Sequence, residues 1–293
     1  MIMSMRYYLI TIASIFLALG IGIFIGFTLD GQEIFVEQQQ SLISELEYRF
    51  SELKNENASM KKIVDAKEEE LMLHREFINQ VFPRLVEGRL VGQNVAIVES
   101  SDEFIYTGLI TSLKRAGANV VSVTFIKDGF IKGDAEKIGM VLQKINEELE
   151  PEKSQEYLVK RLVNAILTQK DREFVAAMKE FQLIEVSGEY DAPVDYFIIA
   201  GGSTTGGAGN IDKIDIPMIS AVKSSSIPVV GVEKTDCSDS YIPHYKKMKI
   251  STVDNIDSII GQYSLIMILQ GNEGHFGVKE TADSLTPDDY KVK

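Results

Sequence analysis

The stretch Tyr7–Leu29, YYLITIASIFLALGIGIFIGFTL, holds 23 residues without one charged side chain. As a helix it is ~35 Å long, enough to cross a hydrocarbon core of ~30 Å with some tilt. The chain has no comparable run elsewhere, so it reads as a soluble body tied to a bilayer by one N-terminal helix. The tail, residues 1–6, carries Arg6 and no acid, whereas the far flank carries Asp30, Glu33 and Glu37. Positive residues are retained in the cytoplasm. That bias predicts a single-pass cell-membrane protein with its N-terminus inside and its body extracytoplasmic. A cleaved signal peptide is the rival, but its apolar region is usually about 7–15 residues long and ends at a small-x-small site. This run is longer and ends in Phe27-Thr28-Leu29-Asp30-Gly31, which favours an uncleaved anchor.

Two features predict a homodimer. Ser14, Ala18, Gly22 and Gly26 recur every four residues, and Gly22 to Gly26 is a GxxxG; such a face lets two helix backbones approach closely in lipid. Glycine and alanine are also common in membrane helices generally. The second feature is a heptad from Val36 to Val81, within a stalk at 30–83. Its a positions are Val36, Ile43, Phe50, Asn57, Val64, Leu71 and Ile78; its d positions are Gln39, Leu46, Leu53, Met60, Lys67, His74 and Val81. No glycine falls between Gly31 and Gly88, and no proline precedes Pro83. A lone helix of that length cannot bury its own seam and needs a partner. Asn57 at an a position is the kind of residue that fixes register in a two-stranded coil. The dimer contacts are expected at Gly22, Gly26, Phe50, Leu53, Asn57, Met60 and Val64. The competing reading folds the seam back against the chain's own body.

After Pro83 short apolar runs alternate with helical stretches, the mark of an α/β domain with a parallel sheet. Strands are expected at 94–98, 120–126, 196–200, 228–232 and 248–253. Helices are expected at 104–116, 135–149, 155–181, 211–222 and 256–270. Five such strands suit a flavodoxin- or Rossmann-like order of 2-1-3-4-5. This head is assigned to 84–275, and 276–293 reads as a polar, loose tail. The net charge of −13 argues against nucleic acid as a partner. One cysteine, Cys237, allows no intrachain disulfide.

In open α/β sheets ligands bind outside the carboxyl ends of the strands, where strand order reverses. The candidate ligand or partner crevice is therefore Glu99 and Asp102 after the first strand, with Gly201, Gly202 and Gly206 after the third. The glycine loop resembles a phosphate cradle but fits no motif: Gly207 is followed by Ala208-Gly209 rather than Lys-Ser/Thr, and then by Asn210-Ile211-Asp212. A plain glycine turn accounts for it. The histidines are only His74, His244 and His275, with no His-x-x-x-His or Cys-x-x-Cys, so no catalytic set and no organic cofactor is expected. Cys237, His244 and Met248 are the metal-ligand candidates, because thiolate, imidazole and thioether suit Cu(I). Their spacing matches no ligand pattern.

Several segments resemble the mycobacterial copper transport protein B family. They are Ser4-Met5-Arg6-Tyr7 with Ile15 to Gly22, Gly88 to Val98, Arg115-Ala116-Gly117-Ala118, Ser251 to Asp257, and Gly274-His275-Phe276-Gly277. The resemblance spans nearly the whole chain. It implies copper transport or homeostasis across the envelope. It also implies, from relatives, a cell-division role with a membrane-associated partner and an influence on septal peptidoglycan hydrolysis. No metal site is carried over with these motifs, and one span per chain is a poor pore.

Overall fold

The computed structural model describes residues 5–101, 106–204 and 211–287, with the side chains of 29–35 and 37 outside that description. The first helix, α1, runs from Met5 to Val86. It crosses two compact units divided between Arg75 and Glu76.

In the first unit, Met5–Thr28 is apolar enough to span a membrane, with a mean hydropathy of 2.5. Thr11 and Ser14 donate their hydroxyl hydrogens to the carbonyls of Tyr7 and Ile10, and Thr28 donates to those of Phe24 and Ile25. These three hydroxyls are thereby satisfied within their own helix, as hydrocarbon requires. Farther along α1, Val36, Ile43, Leu46, Phe50, Leu53, Met60, Val64 and Leu71 are all exposed.

The second unit is a sheet covered on both faces. Its strands are β1 (Asn94–Glu99), β2 (Asn119–Ile126), β3 (Ile184–Gly188), β4 (Tyr196–Ala200), β5 (Val229–Val232), β6 (Ser251–Val253) and β7 (His275–Phe276). They lie in the order β3-β2-β1-β4-β5-β6-β7. All neighbours are parallel except β2 and β3. The chain steps from β1 outward to β2, then returns to the other side of β1 at β4, so strand order reverses between β1 and β4. Side chains alternate between two cores, as the strand period demands. Ala96, Val98, Phe197 and Ile199 enter one core, and Val95, Ile97, Ile198 and Ala200 the other. Burial on both faces explains why these strands are continuous apolar runs.

The first core is closed by α3 (Asp128–Ile131), α4 (Ala135–Lys144), α5 (Pro151–Thr168), α6 (Arg172–Glu180), α7 (Ile216–Ser224) and α8 (Ile242–Lys247). A π-turn at Ile211–Asp215 leads into α7. The second core is closed by α2 (Thr107–Arg115), α9 (Ile259–Leu269) and Phe82, Val86 and Leu90.

Three expectations need correction. The helix expected over 155–181 is two helices, parted by left-handed residues Gln169 and Asp171. Arg161 holds that corner by donating from two nitrogens to Asp171 at 2.5 and 3.1 Å. β3 was not foreseen, because Ile184-Glu185-Val186-Ser187-Gly188 offers too few apolar residues to stand out. The stretch from Phe276 is no loose tail as far as Pro287. Phe276 is buried on β7, Gly277 N–H donates to the Ser284 carbonyl at 3.0 Å, and Lys246 reaches the Thr281 carbonyl at 2.7 Å. Residues 288–293 lie outside the described residues.

Candidate functional site at the carboxyl edge of the sheet

Parallel strands β1, β5 and β6 each deliver a buried acid at or just past their carboxyl ends: Glu99, Glu233 and Asp254. A fourth, Asp215, arrives from the π-turn and is also buried. Each would be costly as an unpaired charge, and the four are treated differently by their surroundings.

Glu233 and Asp254 are fully engaged. Glu233 accepts from the Ser240 hydroxyl at 2.6 Å, the Tyr241 N–H at 2.8 Å and Lys279 Nζ at 2.6 Å. Asp254 accepts the backbone N–H groups of Val278 and Lys279 at 2.7 and 3.0 Å. Asp254 therefore does not cap the helix that follows it. The cap of α9 is Ser258, whose hydroxyl accepts from Gly261 N–H at 3.0 Å.

Glu99 and Asp215 are only half satisfied. Glu99 Oε1 accepts the Tyr106 N–H at 3.2 Å, while its Oε2 is buried without a partner among the described residues. Asp215 Oδ2 accepts the Tyr245 hydroxyl hydrogen at 3.1 Å, and its Oδ1 is buried without a partner among the described residues. Burial pushes each carboxyl up to about 7. Both acids therefore exchange a proton near neutrality instead of standing permanently charged.

Gly201 sits between them. Its carbonyl accepts the Tyr106 hydroxyl hydrogen at 3.1 Å. A Cβ there would lie 2.2 Å from Tyr245 Oη and 2.7 Å from a ring carbon of Tyr241. Gly202 has φ +91°, and a Cβ there would meet Cys237 Sγ at 2.5 Å. Both glycines are thus close-approach positions, Gly201 against Tyr241 and Tyr245 and Gly202 against Cys237 and Glu233. Of the expected crevice, Glu99, Gly201 and Gly202 come together where strand order reverses; Asp102 and Gly206 lie outside the described residues.

The metal-ligand candidates are not gathered. Cys237 packs against the second core and Met248 against the first, on opposite faces of the sheet. His244 lies in α8, where its carbonyl accepts the Met248 N–H. Burial, followed by the nearby Glu233 charge, pushes the Cys237 thiol up to about 11, which keeps the nucleophilic and metal-binding thiolate scarce. Among the described residues no three His, Cys, Asp or Glu side chains form a ligand set. On the far edge of the sheet, a cleft of about 680 Å³ is lined by Lys223, Pro228, Lys249 and His275 among others; it touches none of the four acids.

Sequence reasoning missed Asp215, Glu233, Tyr106, Tyr241, Tyr245 and Lys279. One signal was legible: the expected strands at 94–98, 228–232 and 248–253 are each followed at once by an acid. Asp215 and Lys279 carry no such mark, because they reach the edge from a turn and from the C-terminal return.

A search of curated proteins returns no match. The model of the copper transport outer membrane protein family, MctB, matches residues 1–287, so nearly the whole chain is covered, and the chain belongs to that family.

Proposed function

We propose that this chain is a non-enzymatic, membrane-anchored envelope protein of copper homeostasis that works as a parallel coiled-coil dimer and carries a flavodoxin- or Rossmann-like head outside the cytoplasm. The observation that carries this reading is the uncovered heptad on α1. Phe50, Leu53, Met60 and Val64 are exposed by 71, 62, 57 and 48 %. A column of apolar side chains at heptad spacing loses stability in water unless a second helix covers it. A second copy supplies the identical column, and Asn57 in register with itself satisfies both amides. Gly22 and Gly26 have no heavy atom within 4 Å of where a Cβ would stand, which leaves that face of the span open for a partner helix.

Copper enters this reading as cargo or regulated ion, not as a resident cofactor. Two spans whose Thr11, Ser14 and Thr28 hydroxyls are bonded to their own backbones make a poor ion path, and the soft-ligand candidates of the head stand apart. A scaffold role follows more directly than a pore. The second reading, an envelope scaffold for cell division with a membrane-associated partner and no copper role, draws on the same single self-satisfied span.

Cross-linking pull-down from membranes, with copper measured on the same purified protein, tests both. Copper homeostasis predicts a partner or a copper content that changes with copper supply. A set of division proteins unaltered by copper would select the scaffold. A stoichiometric Cu(I) site lost on Cys237→Ser or His244→Ala would contradict the scaffold and place copper in the head.

A further inference from the structure

We infer that the outer edge of β3 and the adjoining face of α6 form a docking groove for an extended, acidic polypeptide segment of a partner protein, which adds to the sheet as an eighth strand. β3 ends the sheet, and among the described residues no strand pairs with its outer side. Lys127 N–H donates to the Leu183 carbonyl at 3.0 Å, which sets the phase of the antiparallel ladder. Hydrogen-bonded pairs alternate along such a ladder. With Phe125 opposite Glu185 and Val123 opposite Ser187, the backbone groups of 185 and 187 turn toward β2, and those of Val186 and Gly188 turn outward. Val186 and Gly188 are the two β3 residues that line a groove of about 300 Å³.

The opposite wall is one face of α6. Arg172, Val175, Ala176 and Lys179 line it at i, i+3, i+4 and i+7, the spacing of a single helix stripe. Ala176, Arg172 and Lys179 are exposed and Val175 half-buried. Tyr190 closes one end; its hydroxyl lies 2.7 Å from Thr124 Oγ1, which holds the ring in place.

Charge selects the occupant. The chain carries a net −13, yet three cations, Lys170, Arg172 and Lys179, border this groove against one acid, Glu189. Among the described residues none of the three cations is in an ion pair. By contrast Lys127, Lys144 and Arg161 nearby are all paired. An unpaired strand edge beside a helix is the geometry of strand addition, in which backbone hydrogen bonds supply affinity and flanking side chains supply selectivity. Here the flanking selectivity is for carboxylates, with small apolar residues fitting against Val175, Ala176 and Val186. This docking is independent of dimerisation through the stalk.

The test uses the full chain in detergent and a fluorescein-labelled octapeptide that alternates glutamate with valine or threonine. Fluorescence anisotropy should show saturable binding. The triple variant Lys170→Gln/Arg172→Gln/Lys179→Gln should weaken it at least tenfold, and Lys249→Gln, on the far edge, should leave it unchanged. The same peptide with alternate backbone amides N-methylated, which blocks strand pairing but not charge, should also bind at least tenfold more weakly. Failure to bind at millimolar peptide would overturn the proposal. So would equal binding of the N-methylated peptide, or full displacement by equimolar inorganic phosphate, either of which would mark a plain anion site.

Discussion

Lys279 Nζ lies 2.6 Å from Glu233 Oε1, joining the C-terminal return to the carboxyl end of β5. Glu233 is fully buried and Lys279 is 19 % exposed, so solvent screens the pair little. Lys279 also donates to the Lys234 carbonyl at 2.9 Å. Its backbone N–H meanwhile binds Asp254. One residue thus ties β5, β6 and the return together.

Removing the cation while keeping the acid should be costly, because it strands a buried charge. Lys279→Met is expected to destabilise the head by about 3 kcal/mol, and Lys279→Met with Glu233→Gln by clearly less. Urea unfolding of the full chain, followed by circular dichroism, measures both. Hydrogen exchange of 276–287 should accelerate in the single variant.

Glu99 and Asp215 make stability depend on pH in a defined direction. Their carboxyls ordinarily titrate at 4.5 and 3.8 but are raised to about 7 in the fold by burial. Below about pH 4 both states hold the protons and the stabilising contribution is intact. As pH rises, the unfolded chain releases its protons first, so stability falls until about pH 7 and then levels. At ~1.4 kcal/mol per pH unit this is on the order of 3 kcal/mol for Glu99 and about 4 kcal/mol for Asp215. Glu99→Gln and Asp215→Asn should each flatten the decline between pH 4.5 and 7. Urea midpoints across pH 4–8 check this; a wild-type midpoint that climbs steadily over that interval would contradict it.

Close approach at Gly201 gives a second structural test. A methyl group there meets Tyr245 Oη and the Tyr241 ring, and overpacking of this kind costs about 1–3 kcal/mol. Gly201→Ala should lower the unfolding free energy by that amount, read from urea unfolding of the full chain. Adding Tyr245→Phe, which removes the nearest atom, should cost less than the sum of the two single changes.

The parts of this fold that were legible in sequence are those whose signal is local. Tyr7–Leu29 declares itself by length and lack of charge. The parallel strands at 94–98, 196–200 and 228–232 declare themselves as apolar runs, and Gly117 and Gly271 take the positive φ that ends α2 and α9. What was hidden depends on distant partners. The break after α5 rests on Arg161 gripping Asp171. The pinned C-terminal return rests on Asp254 and Glu233, which come from two different strands. Tyr241 and Tyr245 look like ordinary residues of a short polar helix until Gly201 brings the backbone of β4 against them.

In the proposed dimer Asn57 should set the register of the stalk. Asn57→Leu removes the penalty on misaligned pairs and adds apolar burial worth ~1–2 kcal/mol per chain. The isolated segment 32–83 should then melt higher and spread over more oligomeric states. Phe50→Asp should dissociate it. Sedimentation equilibrium of the three peptides decides the matter; a wild-type segment that stays monomeric at tens of micromolar, on the order of typical weak-complex concentrations, would contradict pairing.

The most direct test of the proposed dimer is disulfide trapping of the full chain in native membranes. In a Cys237→Ser background, Val64→Cys places a thiol at an a position of the seam, and Glu69→Cys places one on the outer face of the same heptad. Mild oxidation is expected to convert Val64→Cys to a covalent dimer and to leave Glu69→Cys monomeric. Equal trapping at both positions, or none at either, would contradict the parallel coiled-coil dimer.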